Sequence, residues 1–385
     1  MPGPEYSPRP RRIGRGAALT LVFASVLATA AATNALPHND NSAPRPLSAR
    51  SAGATVDRDD VARAAAEAMA DGKSGTKAAE EVVSRSGDRW GAVYDKSEYA
   101  EFQQALDGEY TGVGLTARRA DGRRVEVSRV QPGGPADKAG IKAGDRLRTI
   151  DGIRVDERPV TEVVALLRGA VRTSVTLGLE RGGRAWTETL RRTTLSTETV
   201  TVQHLDGGAV MIRVVSFTKG SGERVRDAVR QAPAGAGVLL DLRGNAGGLV
   251  AEAVTAASAF LDGGLVATYD IRGEQRALYA TPGGDTERPV VTLVDGGTMS
   301  AAELVTGALQ DRGRAITVGS RTFGKGSVQM PEKLPDGSVA ELTVGHYRTP
   351  AGHSVDGRGI TPDLAASKSA EERAQTVLSG LGGGS

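Results

Sequence analysis

A chain of 385 residues, 39% apolar and 24% charged, has room for two or three domains and enough apolar content to fold along most of its length. Its formal net charge is only +2 and its aromatic content 4%, with no basic face interleaved with aromatics, which argues against nucleic acid as a partner. The complete lack of cysteine excludes disulfides, thiolate metal sites and cysteine nucleophiles.

Arg9, Arg11, Arg12 and Arg15 precede an uncharged run from Gly16 to Ala32, followed by small residues up to Ala35. This layout predicts a signal peptide over 1–35 or, because a run of about 17 residues is at the lower limit for crossing a bilayer, an uncleaved membrane anchor. Either places the rest of the protein outside the cytoplasm, in the cell envelope or beyond, with membrane contact only through that anchor. Residues 36–56, rich in Pro, Ser, Asn and Ala, read as a flexible tether.

Residues 57–108 carry helical spacing, with Val61, Ala64, Ala65 and Met69 on one face and Tyr99, Phe102 and Leu106 on another. Over 109–185 the pattern changes to short strands. Val125 and Val127 alternate, Leu147 to Ile150 leads into the turn pair Asp151-Gly152, and Val175, Leu177 and Leu179 alternate again. One helix, from Pro159 to Leu167, interrupts them. From 186 to 370 strands such as Val210–Val215, Val238–Leu242 and Val290–Val294 alternate with helices near Glu223–Val229, Leu249–Leu261 and Ala301–Leu309, which predicts an α/β core. Residues 371–385, ending in Gly-Gly-Gly-Ser, read as a C-terminal tail.

Three constellations in the core carry chemistry. Thr298-Met299-Ser300-Ala301-Ala302-Glu303 sits where a buried strand gives way to a helix. Ser300 and Glu303 fit a capping box, which a plain helix start would explain. The same geometry exposes a hydroxyl at the end of a sheet, beside the unpaired N–H groups and positive dipole of a helix N-terminus. In Arg321 to Gln329, Lys325 lies between two glycines in a chain that holds 9 Lys against 39 Arg. A lysine serves as general base only when burial removes its charge, which Arg cannot do. The flanking glycines would let the backbone pass close beside a nucleophile, and Gln329 would hold the amine; a solvated loop lysine is the plain alternative. Asp241-Leu242-Arg243-Gly244-Asn245-Ala246-Gly247-Gly248 follows a buried strand, and such a turn can aim N–H groups at an oxyanion or simply join strand to helix. It satisfies neither phosphate-binding glycine pattern. His346 and His353 flank Thr349 to Gly352 with no ligand motif around them, and read as strand and turn positions rather than triad bases; no metal is expected.

Together these motifs resemble the C-terminal processing peptidases, or tail-specific proteases, from about Arg89 to Leu364. The resemblance implies a ClpP/crotonase-like α/β core with an inserted PDZ domain, following the helical N-terminal segment. It implies a Ser/Lys dyad of Ser300 and Lys325, which keep the family's separation of 25 positions, with Gln329 assisting four residues later. Oxyanion donors would be the N–H groups of Gly247 or Gly248 and of Ala301. Tyr110-Thr111-Gly112-Val113-Gly114-Leu115 resembles the carboxylate-binding loop of PDZ domains, which grips a peptide C-terminus while the peptide joins the sheet edge. Implied substrates are protein or peptide C-termini, with no cofactor; oligomeric state is left open. The sequence departs from the family where its serine-rich run becomes Thr298-Met299-Ser300-Ala301-Ala302-Glu303 and where Asn-Asn-Pro becomes Gly244-Asn245-Ala246, changes that touch oxyanion geometry and subsite shape. Two other readings stay open: a catalytically idle PDZ scaffold, and a Ser/His hydrolase of small esters.

Overall fold

A computed structural model describes residues 57–120, 124–271 and 274–382; the expected signal peptide or anchor and the tether lie outside these residues. Among the described residues no helix is long and apolar enough to cross a membrane.

The N-terminal helices Arg58–Ala70 and Gly75–Ser86 start on side-chain caps, Asp57 accepting from Asp59 N–H and Ser74 from Lys77 N–H, and the second stops at Gly87 in the left-handed region (φ 83°). Their shared stripe of Val61, Ala65, Ala79 and Val83 buries against Val93, Leu334, Ala340 and Leu342. Met69, expected on that stripe, lies exposed. The strand Ala92–Tyr94 then pairs antiparallel with Val339–Arg348, more than two hundred residues later, so the helical segment and the core share one sheet. Helix Lys96–Leu106 follows on an Asp95/Glu98 capping box, and Phe102 stacks on Tyr94 at 5.2 Å between centroids.

The inserted unit hangs from a neck of two strands, Glu109–Gly112 and Thr193–Ser196, paired antiparallel from Glu109↔Ser196 to Gly112↔Thr193. Beyond the neck, Leu115–Ala120, Arg124–Val130, Arg146–Ile150, Ser174–Arg181 and Arg184–Arg191 form an antiparallel sheet in that order. Helix Val160–Leu167 packs on it through Val163 and Leu167. Asp151 (φ 47°) and Gly152 (φ 76°) make the tight turn between Ile150 and Ile153 that the sequence predicts. The last strand runs to Arg191, so a boundary at 185 cuts a hairpin; the Gly182-Gly183 turn returns the chain to the same sheet.

The core sheet orders Val200–His204, Val210–Val214, Val238–Asp241, Val290–Val294, Ile316–Gly319 and Leu364–Ala365, antiparallel in its first pair and parallel thereafter. Val238 to Asp241 and Val290 to Val294 are buried throughout, as strands covered on both faces must be. Helices Ser221–Gln231, Val250–Ser258 and Ala301–Asp311 pack in the main apolar cluster. Residues expected to be a tail instead form helix Ala370–Gly382. Ala370, Ala374 and Leu378, spaced four apart, bury against Leu239, Val291, Leu293 and Val318.

Candidate active site

The turn at Ser300 is strained. Ser300 caps helix Ala301–Asp311 with φ 55° and ψ −119°, a backbone conformation that non-glycine residues rarely adopt and that clusters at functional sites. Neighbouring segments over-determine it. The Ser300 carbonyl accepts from the buried Tyr347 hydroxyl at 3.0 Å, Met299 N–H donates to the Asn245 carbonyl at 2.8 Å, and Thr298 Oγ1 donates to the Leu242 carbonyl at 2.9 Å. Burial pushes the Tyr347 phenol well above its ordinary range, keeping it a neutral donor.

Glu303 is the hub of the site. Fully buried, its carboxylate accepts four hydrogen bonds: Oε1 from Thr322 Oγ1 at 2.6 Å and Gly324 N–H at 2.7 Å, Oε2 from Ser300 N–H at 2.9 Å and Lys325 N–H at 2.9 Å. The Ser300 turn and the lysine loop are therefore tied to one carboxylate, and Ser300 and Lys325 share a single oxygen. Removal from water raises the Glu303 carboxyl, and the four donors pull it partly back. The sequence reads Glu303 only as a helix cap; what sets it apart is that it is the single charged residue in Ala301–Leu309, a run buried throughout.

The glycines around Lys325 serve a different neighbour from the expected one. A Cβ on Gly324 would lie 2.9 Å from Gly359 N, and one on Gly326 would lie 2.6 Å from Asp356 N. They let the lysine loop nest against residues 355–360, where Thr322 and Ile360 exchange hydrogen bonds. The glycine that abuts Ser300 is Gly247 (φ 98°): its Cβ would fall 2.9 Å from Ser300 Cβ. Its own N–H donates to Asn245 Oδ1 at 2.8 Å, and Asn245 is in turn held by donating to the Val214 carbonyl. Among the described residues the N–H groups of Gly248 and Ala301 donate to no protein acceptor, which leaves these two as the open donors beside Ser300.

Lys325 is partly buried, with Nζ 5.0 Å from the centroid of the Trp90 ring. Removal from water pulls its ammonium below the ordinary lysine range, while the carboxylates of Glu341, Asp88 and Glu303 act the other way. Gln329 does not reach the amine here. A register shift between Val328 and Gln329 precedes it, and its amide donates to Ser327 Oγ at 2.8 Å and Thr343 Oγ1 at 3.3 Å. His346 lies 3.8 Å from Asp356 and His353 3.8 Å from Asp311; neither contacts Ser300.

In the inserted unit, the strand Leu115–Ala120 has one edge unpaired and, with helix Val160–Leu167, borders a cavity of about 610 Å³. Tyr110, Gly112, Val113, Gly114 and Leu115 all line it, with Thr111 alongside in the neck strand. In its lining Gly114 adopts φ 79°, and among the described residues the N–H groups of Val113 and Gly114 donate to no protein acceptor. Tyr110 is held by its hydroxyl, which donates to Gln131 Oε1 at 3.0 Å.

Residues 209–366 match the model described as Peptidase family S41, and residues 126–181 match a PDZ domain. A carboxy-terminal processing protease of Bacillus subtilis is 33% identical over 284 residues, 72% of this chain and 61% of that protein. A carboxyl-terminal-processing protease of Synechocystis sp. is 34% identical over 296 residues, 74% of this chain and 69% of that one. The solved structure of a photosystem II D1 C-terminal processing protease shares 30% identity and a TM-score of 0.50, across 80% of this chain and 86% of that one. The chain spans less than two thirds of the Bacillus relative's length.

Proposed function

The chain belongs to peptidase family S41, and on that premise we propose that it is a serine endopeptidase that cuts proteins near their C-termini, with Ser300 as nucleophile and Lys325 as general base. The observation that carries this reading is the single Glu303 oxygen that accepts from both Ser300 N–H and Lys325 N–H. Neutral Lys325 takes the Ser300 proton, and Oγ attacks the scissile carbonyl carbon. The resulting oxyanion accepts from the N–H groups of Gly248 and Ala301, a pair of donors each worth about 3 to 4 kcal/mol to the transition state. The Lys325 ammonium then protonates the departing amine, leaving an acyl-enzyme on Ser300. Lys325, neutral again, takes a proton from water as the water oxygen attacks the acyl carbon, and the ammonium returns that proton to Ser300 Oγ as the new C-terminus departs. Gly247 gives close approach rather than a hydrogen bond, and Gln329 orders Thr343 and Ser327 behind the lysine.

The PDZ unit holds the tail in this reading. An extended peptide adds to the free edge of Leu115–Ala120, its carboxylate on the N–H groups of Val113 and Gly114. Residues 1–35 direct the enzyme out of the cytoplasm, as cleaved signal or retained anchor.

The test uses the full chain and reporter proteins that differ only in their last three residues, with products read by mass spectrometry. Ser300→Ala is expected to abolish cleavage and retain tail binding, and Lys325→Arg to be as damaging as Lys325→Ala. Proteolysis by Ser300→Ala would refute the assignment, and tail binding by the native protein with neither turnover nor fluorophosphonate labelling at Ser300 would make it a scaffold. Loss of activity in a His346/His353 double alanine variant that still folds would favour a histidine base.

A further inference from the structure

Resting on the dyad reading above, we propose that Trp90 is a positioning residue of the hydrolytic machinery, its indole face seating the Lys325 amine and closing it off from water. Nζ stands 5.0 Å from the ring centroid, within the range where a cation is drawn to an aromatic face. The ring is fixed independently of the lysine. Asp88 Oδ1 accepts from Trp90 N–H at 3.1 Å and Gly91 N–H at 2.8 Å, and both Asp88 oxygens accept from Thr343 at 2.8 Å, so the loop is riveted to the strand Val339–Arg348. Phe323, two residues before the lysine, meets Trp90 edge-on at 5.7 Å.

The polar end of the indole points to the same role. Buried tryptophans ordinarily find a partner for the ring N–H, yet Trp90 Nε1 is buried with none. The charged groups acting on the amine come from every element packed around it: Glu341 from the strand Val339–Arg348, Asp88 from the Trp90 loop, and Glu303 from the nucleophile helix. Arg89 adds a second cation over the same ring at 4.8 Å. Removing the ring admits water to the amine and favours the ammonium. Weakening only the ring's electrostatics does the reverse, because the face attracts the charged form.

Two perturbations therefore have opposite expected signs. In the full-length protein, Trp90→Ala should lower kcat about tenfold near neutral pH, leave KM and tail-peptide affinity unchanged, and move the acidic limb of the kcat/KM profile to higher pH. Stepwise fluorination of Trp90 in a Trp186→Phe background preserves shape and should move that limb to lower pH, in proportion to the number of fluorines. A tryptophan that merely packs would shift neither limb. The fluorinated series keeps the fold where the alanine variant loses it, and an unmoved limb there overturns the proposal. Lys325→Ala run alongside separates the failures: if it stays active the dyad reading falls, and if it is dead while the limb stays put only the role of Trp90 falls.

Discussion

Replacing Glu303 by glutamine changes one oxygen to an NH2 group inside a fully buried site. Each carboxylate oxygen accepts two hydrogen bonds, so the amide keeps one pair of donors and turns its own hydrogens toward the other. Whichever way it turns, two buried donors lose their acceptor, each at about 1–3 kcal/mol. A total of about 2–6 kcal/mol is expected, and with each kcal/mol worth about 2–4 °C in a unit of this size, melting should fall by roughly 4–24 °C. Both pairs belong to the site. If Oε2 is lost, Ser300 and Lys325 are released together; if Oε1 is lost, Thr322 and Gly324 let the lysine loop drift. A misplacement of about 1 Å costs on the order of a hundredfold in rate. The assay is thermal melting alongside the rate of fluorophosphonate labelling at Ser300, with tail-peptide binding as a control on the PDZ unit. Labelling at the native rate with unaltered melting would refute the view that this carboxylate assembles the site.

Three further substitutions have outcomes that follow from the geometry. Burial raises the Glu341 carboxyl from 4.5 to about 7, so its contribution to stability is complete below about pH 4.5 and is lost as pH rises through 7; Glu341→Gln should then stabilise the protein above pH 7 by up to about 3 kcal/mol in urea melts. The same substitution removes a carboxylate that favours the Lys325 ammonium, so the acidic limb of activity should move to lower pH. Gly247→Ala places a methyl 2.9 Å from Ser300 Cβ at a φ of 98°, and should slow Ser300 acylation by about a hundredfold or more in a burst assay while tail binding persists. Gly114→Ala strains the left-handed turn that lines the peptide groove, and should weaken tail binding about tenfold by fluorescence polarisation while acylation by a small probe is unaffected.

Local signals in the sequence carried most of the architecture. The strand-helix alternation placed Val238–Asp241, Val290–Val294 and Ala301–Asp311 to within two residues, because buried parallel strands are unbroken apolar runs and their helices keep an apolar face. The Asp151-Gly152 turn was legible for an equally local reason. The helix Ala370–Gly382 was missed because three small or apolar residues in a polar stretch give a thin stripe beside a glycine-rich end. Within the site, Ser300 and Lys325 were visible by type and spacing. Hidden were the long-range facts: Glu303 gathering donors from 300, 322, 324 and 325, Trp90 arriving from the N-terminal segment, and Gln329 turned aside by a register shift. No periodicity encodes a contact between residues 90 and 325.

That contact also sets a timetable. Trp90 is made early in synthesis, Ser300 two hundred residues later, and the strand that fastens Trp90's loop only when residues 339–348 have emerged. A growing chain thus carries Trp90, Ser300 and Lys325 before the strand that fixes the first of them beside the last has been made, so their arrangement is settled late.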